Sequence, residues 1–313
     1  MRIAITGATG FVGSRVVATL TAAGHQVVGL SRGAHPDADA VSWRTVPAYS
    51  DASAMARVLT DVDAVVHLAA RVHVMREISS DPLAEFRRAN VESTRAIADA
   101  LVARGGGKLV LFSSIKVHGE GGAGPISETS SLAPEDPYGQ SKVEAEHVLS
   151  EANASLQWTV IRSPLVYGPG VGGNFRRLLG LARLSRRLPI PLGGLRNVRS
   201  MVYVDNLAHL VDTVLTDARA SRRVYLGTDG SDFTTSDLIR RLAAAMGGRA
   251  LLVPMPPSLL RLGFGMLGRG AEASRLLEEY RVMPSAAMSE LGWRPPHTID
   301  DGLAATVRHW EAA

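Results

Sequence analysis

A chain of 313 residues, 46% hydrophobic and 20% charged, can bury one large α/β core with a smaller lobe, and it has no polar tract of the kind that stays unfolded. The absence of cysteine excludes disulfides, thiolate metal sites and a cysteine nucleophile. A net charge of +4 with 5% aromatic residues falls short of the basic, aromatic-rich stripe that nucleic acid requires.

The N-terminal apolar run is interrupted by Gly7, Gly10 and Gly13, so it reads as a strand and a loop rather than a secretion signal. Residues 2–6, 26–30, 64–68, 108–113 and 158–162 are short runs rich in Val and Ile, as strands buried on both faces are. Between them, residues 11–23, 51–59, 82–103 and 137–151 place apolar side chains at helical spacing, with breakers at Gly24 and Gly105 to Gly107. The alternation predicts an α/β protein with a Rossmann-type doubly wound parallel sheet.

Beyond about Pro164 the rhythm loosens into loops at 167–173 and 189–194 and short helices at 205–215 and 235–246. The expected organisation is a dinucleotide-binding domain over 1–165, rejoined by about 197–225, and a smaller, mainly substrate-binding C-terminal lobe within 166–313, over the carboxyl edge of the sheet. The most apolar late stretch, 251–267, is broken by Pro254, Pro256, Pro257 and Arg261, so no membrane span is expected and a cytoplasmic location is. Seven arginines fall between Arg176 and Arg199; they read as a solvated helix face from which one or two reach a diphosphate.

The first strand runs into Thr6-Gly7-Ala8-Thr9-Gly10-Phe11-Val12-Gly13 and then a helix. Glycine permits the tight turn at Gly7, backbone approach to a pyrophosphate at Gly10 and close helix packing at Gly13, while the helix N-terminus offers N–H groups to the anion. The second strand ends in Leu30-Ser31-Arg32-Gly33, with no carboxylate for an adenosine ribose. Arg32 suits a 2'-phosphate, so NADP(H) is expected ahead of NAD(H).

Tyr138 and Lys142 are one helical turn apart, so phenol and ammonium share a face. The ammonium is expected to pull the phenol's pKa down from its ordinary value near ~10 toward the working range. Ser114 ends the strand at 108–113, on the sheet edge that carries the glycine loop, where its hydroxyl can bond a reacting oxygen. His73, His118 and His147 lack compact metal-ligand spacing, so no metal is expected. Lys116 reads equally well as a substrate or phosphate contact and as a solvated loop residue.

TGATGFVG (6–13), the order of Ser114, Tyr138 and Lys142, His67-Leu68-Ala69-Ala70, Asn90-Val91, Arg162 to Pro169, Arg199 to Asp205 and Leu291-Gly292-Trp293 together resemble the extended short-chain dehydrogenase/reductases that act on nucleotide sugars. The resemblance implies that Gly7, Thr9, Gly10, Phe11, Val12, Gly13, Leu68, Ala69, Ala70, Pro164, Val166, Tyr138 and Lys142 line the cofactor. It implies that Ser114, Asn174 and Arg199 meet the substrate, and that a homodimer forms through helices 82–103 and 137–151. Sugar dehydratases of similar scaffold have Asp-Glu where Ile115-Lys116 stand, so water elimination is not expected. HLAARVHVM (67–75), SSIKVHGE (113–120), DPYGQSKVEAE (136–146) and SPLVYGPGVGGNF (163–175) look most like bacterial reductases of UDP-4-keto-6-deoxy-N-acetylhexosamines. The expected reaction is therefore NAD(P)H-dependent reduction of a C4 ketone for surface polysaccharide synthesis. A UDP-hexose or UDP-N-acetylhexosamine 4-epimerase is the alternative, and a non-catalytic NAD(P)-sensing protein is the alternative from another class.

Overall fold

The computed structural model describes residues 1–35, 41–72, 80–121, 124–230, 232–266, 277 and 279–313. Seven strands form one parallel sheet: β1 (Arg2–Thr6), β2 (Gln26–Ser31), β3 (Val41–Thr45), β4 (Ala64–His67), β5 (Gly107–Ser114), β6 (Leu156–Ser163) and β9 (Arg223–Leu226), in the order β3-β2-β1-β4-β5-β6-β9. The strand order reverses between β1 and β4, which opens a crevice at their carboxyl ends.

Alternation along β1 explains the two-faced core. Ile3 and Ile5 face one side, where Val16 and Leu20 of α1 (Phe11–Ala22) and Leu207 and Val211 of α7 (Val204–Thr216) cover them. Ala4 faces the other side, with Met55 of α2 (Ala52–Val58), Ile97 and Leu101 of α4 (Ser93–Ala103) and Leu149 of α5 (Pro137–Ser150). The predicted helix at 82–103 is not uniform. It runs as α3 (Pro82–Phe86), a π-helical segment Arg87–Glu92 and then α4. The wide turn brings Asn90 inward, and its carbonyl takes the hydroxyl proton of Thr94 at 2.7 Å.

A second core lies over the crevice. Here β7 (Leu165–Tyr167), β8 (Val198–Tyr203) and β10 (Asp232–Thr234) make a three-stranded sheet. Phe175 and Leu179 of α6 (Gly173–Ser185), Ile239 and Leu242 of α8 (Thr235–Ala245), and Leu303 and Val307 of α11 (Ile299–Ala312) pack with Tyr203 in one cluster. Helices α9 (Pro257–Met266) and α10 (Ala286–Glu290) complete the described elements. Among the described residues no helix is long and apolar enough to cross a membrane.

Candidate active site

The glycine loop is built as a cradle. Gly7 sits at φ +70°, and a Cβ there would meet the Ala69 nitrogen at 2.9 Å, so the turn lies directly against the chain leaving β4. At Gly13 a Cβ would fall 2.0 Å from the Gly7 carbonyl oxygen, closer than any side chain allows. Helix α1 starts at Gly10 without a side-chain cap and without an acidic residue in its first turn. Its leading N–H groups, with Phe11 and Val12 partly buried and Thr9 exposed beside them, suit the pyrophosphate of a dinucleotide. Leu68, Ala69 and Ala70 form the facing wall.

That wall is fixed by a buried polar chain. Thr6 Oγ1 accepts from the Ala69 N–H at 3.1 Å and shares a hydrogen bond with His67 Nδ1 at 2.7 Å. His67 Nε2 then donates to Ser93 Oγ at 3.2 Å, and Ser93 donates to the Ala89 carbonyl at 2.6 Å. Burial first, and the Lys142 charge second, push the His67 pKa down to about 3, so the ring stays neutral. Asn90 continues the support, accepting from the Arg71 N–H at 2.8 Å and donating to Ser141 Oγ of α5 at 2.9 Å.

Helix α5 begins where a carboxylate and a proline place it. Asp136 accepts from the Gly139 N–H at 2.6 Å, and Pro137 takes the first helical position. This start sets Tyr138 beside Ser114, the last residue of β5, and their hydroxyls interact. One turn on, the buried Lys142 donates to the Phe112 carbonyl at 2.7 Å, with Nζ 6.0 Å from the Tyr138 ring centre. Ser114, Tyr138 and Lys142 thus meet at the carboxyl end of β5. The β5–β6 register sets Ser114 against Ser163, so the buried Pro164 and the partly buried Val166 border the same place.

The electrostatics depart from expectation in one respect. Burial pushes the Tyr138 phenol up to about 12; the Ser114 hydroxyl bond and the Lys116 charge oppose this, and Asp136 adds to it. The acidification expected from Lys142 is therefore not achieved by the protein alone. Lys142 is itself pushed down to about 8 by burial, against the charge of Glu146. Glu146 extends the ladder by another turn and accepts from Ser113 Oγ at 2.5 Å and from the buried Arg162 guanidinium at 2.6 Å.

Lys116 forms ion pairs with Asp136 at 2.8 Å and Glu120 at 2.6 Å. Burial disfavours its charge, but the two carboxylates outweigh that and its pKa ends raised. His118 accepts from Arg162 at 3.2 Å and donates through Nδ1 to the Ser131 carbonyl at 2.9 Å. His147 is exposed on α5, and His73 lies outside the described residues. In the C-terminal lobe, Asn174 is exposed in the first turn of α6, and Arg199 is partly buried in β8, opposite Phe233 of β10 and bridged to Tyr280. Tyr280 in turn places its hydroxyl against the Ile115 and Gly119 carbonyls, which ties this lobe to the turn that follows Ser114.

Comparison with known proteins points consistently to one family. The model of the NAD dependent epimerase/dehydratase family matches residues 3–227. A UDP-glucose 4-epimerase of Vibrio cholerae is 33% identical over 98% of this chain and 94% of its own. Among solved structures, the UDP-glucose 4-epimerase of Thermus thermophilus in complex with NAD has TM-score 0.75 at 27% identity, and each chain is covered over 100% of its length. The dTDP-glucose 4,6-dehydratase DesIV of Streptomyces venezuelae with NAD bound has TM-score 0.76 at 25% identity, covering 100% of this chain and 97% of its own.

These findings overturn the expectation that NADP(H) is the favoured cofactor: the matching family is NAD dependent and both solved relatives hold NAD. The physical reason lies at Arg32. Its side chain is exposed at the end of β2, and a cation on a long, solvated stem is not by itself a built phosphate site.

Proposed function

The chain belongs to the NAD-dependent epimerase/dehydratase family, and from that premise we propose that it interconverts the C4 epimers of a UDP-hexose or UDP-N-acetylhexosamine. The observation that carries the proposal is the meeting of Ser114, Tyr138 and Lys142 at the carboxyl end of β5, followed by Ile115-Lys116 rather than the Asp-Glu that elimination uses. Ile115 is buried, and Lys116 is committed to Asp136 and Glu120. The likeness to the Vibrio cholerae epimerase over nearly the whole chain points the same way.

In this reading the first turn of α1 and the Leu68–Ala70 wall hold the dinucleotide, and Arg199 and Asn174 hold the substrate diphosphate. Bound NAD supplies a hydride acceptor at the sugar carbon and a cationic ring that favours the phenolate. Tyr138 takes the C4 hydroxyl proton as C4 is oxidised and returns it when C4 is reduced from the other face. Ser114 donates a hydrogen bond to the C4 oxygen through both halves. Lys142, fixed by the Phe112 carbonyl, has two further N–H groups for ribose hydroxyls. Homodimerisation through the helical stretch 82–103 and α5 belongs to the same reading.

The test is incubation with NAD and UDP-glucose, UDP-galactose and their N-acetyl counterparts, with sugar products and NADH absorbance followed together. Interconversion without net NADH change supports the proposal. A second reading, one-way reduction of a UDP-4-keto-6-deoxy sugar, draws on the resemblance of residues 67–75, 113–120, 136–146 and 163–175 to such reductases; stoichiometric NADH consumption with a 4-keto substrate and no epimer interconversion would select it.

A further inference from the structure

The C-terminal lobe has a surface that the proposed chemistry does not use. Of the eleven exposed large apolar side chains among the described residues, six fall in two short stretches: Leu184 and Leu188 at the end of α6, and Leu251, Val253, Leu259 and Met266 from the strand-like segment through α9. The end of α6 adjoins residues 251–253. The Leu251 N–H donates to the Ser185 carbonyl at 2.7 Å, the Ile190 N–H donates to the Leu251 carbonyl at 2.9 Å, and Ile190 and Leu252 form a bridge. Exposure of 55% at Leu188 and 53% at Leu259 is costly in water unless something covers it.

The charge within these stretches is one-sided. No Asp or Glu occurs between Arg176 and Arg199, or between Gly247 and Met266. Arg186, Arg187, Arg249 and Arg261 are exposed in the same stretches as the apolar side chains. Guanidinium groups pair bidentately with phosphate, and leucine, valine and methionine beside them match the shallow acyl layer below phospholipid headgroups. Pro189, Pro254, Pro256 and Pro257 brace the intervening loops without offering N–H donors. With no spanning helix among the described residues, attachment through this face is peripheral.

We propose that the face formed by the end of α6 and residues 251–253 docks on an anionic phospholipid surface. The proposal does not depend on which sugar reaction the chain performs. It is tested by co-sedimentation of the full-length protein with phosphatidylglycerol/phosphatidylethanolamine vesicles and with phosphatidylcholine vesicles, alongside light scattering for oligomeric state.

The expected result is binding to the anionic vesicles alone, reduced in high salt. Leu188→Ser with Leu251→Ser weakens it about tenfold, and each of Arg187→Glu and Arg249→Glu about fivefold or more. All four positions are exposed, so the variants should retain the wild-type melting temperature. Two results overturn the proposal: no preference for anionic vesicles, or variants that bind vesicles as the wild type does while losing a self-association. The second would assign the face to a copy of this chain instead.

Discussion

Lys142 and Glu146 lie one turn apart on α5 and both hold the end of β5: Lys142 through the Phe112 carbonyl at 2.7 Å, Glu146 through the Ser113 hydroxyl at 2.5 Å. The helix is thus pinned at the residues that precede Ser114. The Glu146 carboxylate also favours the charged form of Lys142 against the burial that lowers its pKa.

Holding that ammonium carries a stability cost. The drop from 10.5 to about 8 corresponds to roughly 3 kcal/mol at neutral pH. Between about pH 8 and 10.5 the unfolded chain binds the proton and the folded one has released it, so this cost is relieved as pH rises. Lys142→Met removes the cost but orphans the Phe112 carbonyl, worth about 1–2 kcal/mol the other way. The variant should be about 1–2 kcal/mol more stable than the wild type at neutral pH, with the advantage shrinking toward pH 10, while turnover falls at least about 100-fold. Urea unfolding at several pH values, with activity measured in parallel, checks both.

His67 makes the opposite pH signature. Its ordinary value of 6.5 falls to about 3 in the fold, so below about pH 6.5 the unfolded chain binds a proton that the native one refuses. Stability is lost on acidification at about 1.4 kcal/mol per pH unit from this group, or about 2 kcal/mol by pH 5. Substituting His67→Gln keeps an amide for Thr6 or Ser93 and removes the titration. The variant's unfolding free energy should therefore fall about 2 kcal/mol less than the wild type's between about pH 7 and 5, and an equal fall would refute the assignment.

Gly13→Ala places a methyl where the Gly7 carbonyl oxygen stands, 2.0 Å from the ideal Cβ position. Because the obstacle is backbone, the loop must move and the N–H groups of α1 lose their aim. NAD affinity should drop at least about tenfold, with a stability loss of about 1–3 kcal/mol. Titration calorimetry with NAD, run beside thermal unfolding, separates the two effects.

Where a single period governs, the sequence is a good guide. The β1–α1 loop and Tyr138 with Lys142 are local features, written within eight and five residues, and the structure places them as expected. Strand β3 escapes the same reading because Val41, Ser42, Trp43 and Arg44 are all only half-buried at the sheet edge and carry no continuous apolar run. Strand β9 has four residues and joins the sheet after a long excursion through the C-terminal lobe. The Glu146–Arg162–Ser113 cluster depends on the β5–β6 register that sets Ser113 beside Arg162, which no local pattern reveals. Its one sequence signal is the four-residue spacing from Lys142 to Glu146. Arg32 misleads because residue type alone does not make a site: phosphate selectivity depends on how the side chain is held.

The most direct test of the account replaces Tyr138 by phenylalanine and measures turnover and NAD affinity on the same preparation. Removing one hydroxyl should lower UDP-sugar interconversion about 100-fold or more and leave NAD binding within about twofold. Turnover close to that of the wild type would contradict the assignment of the proton to Tyr138 and, with it, the reaction proposed for this site.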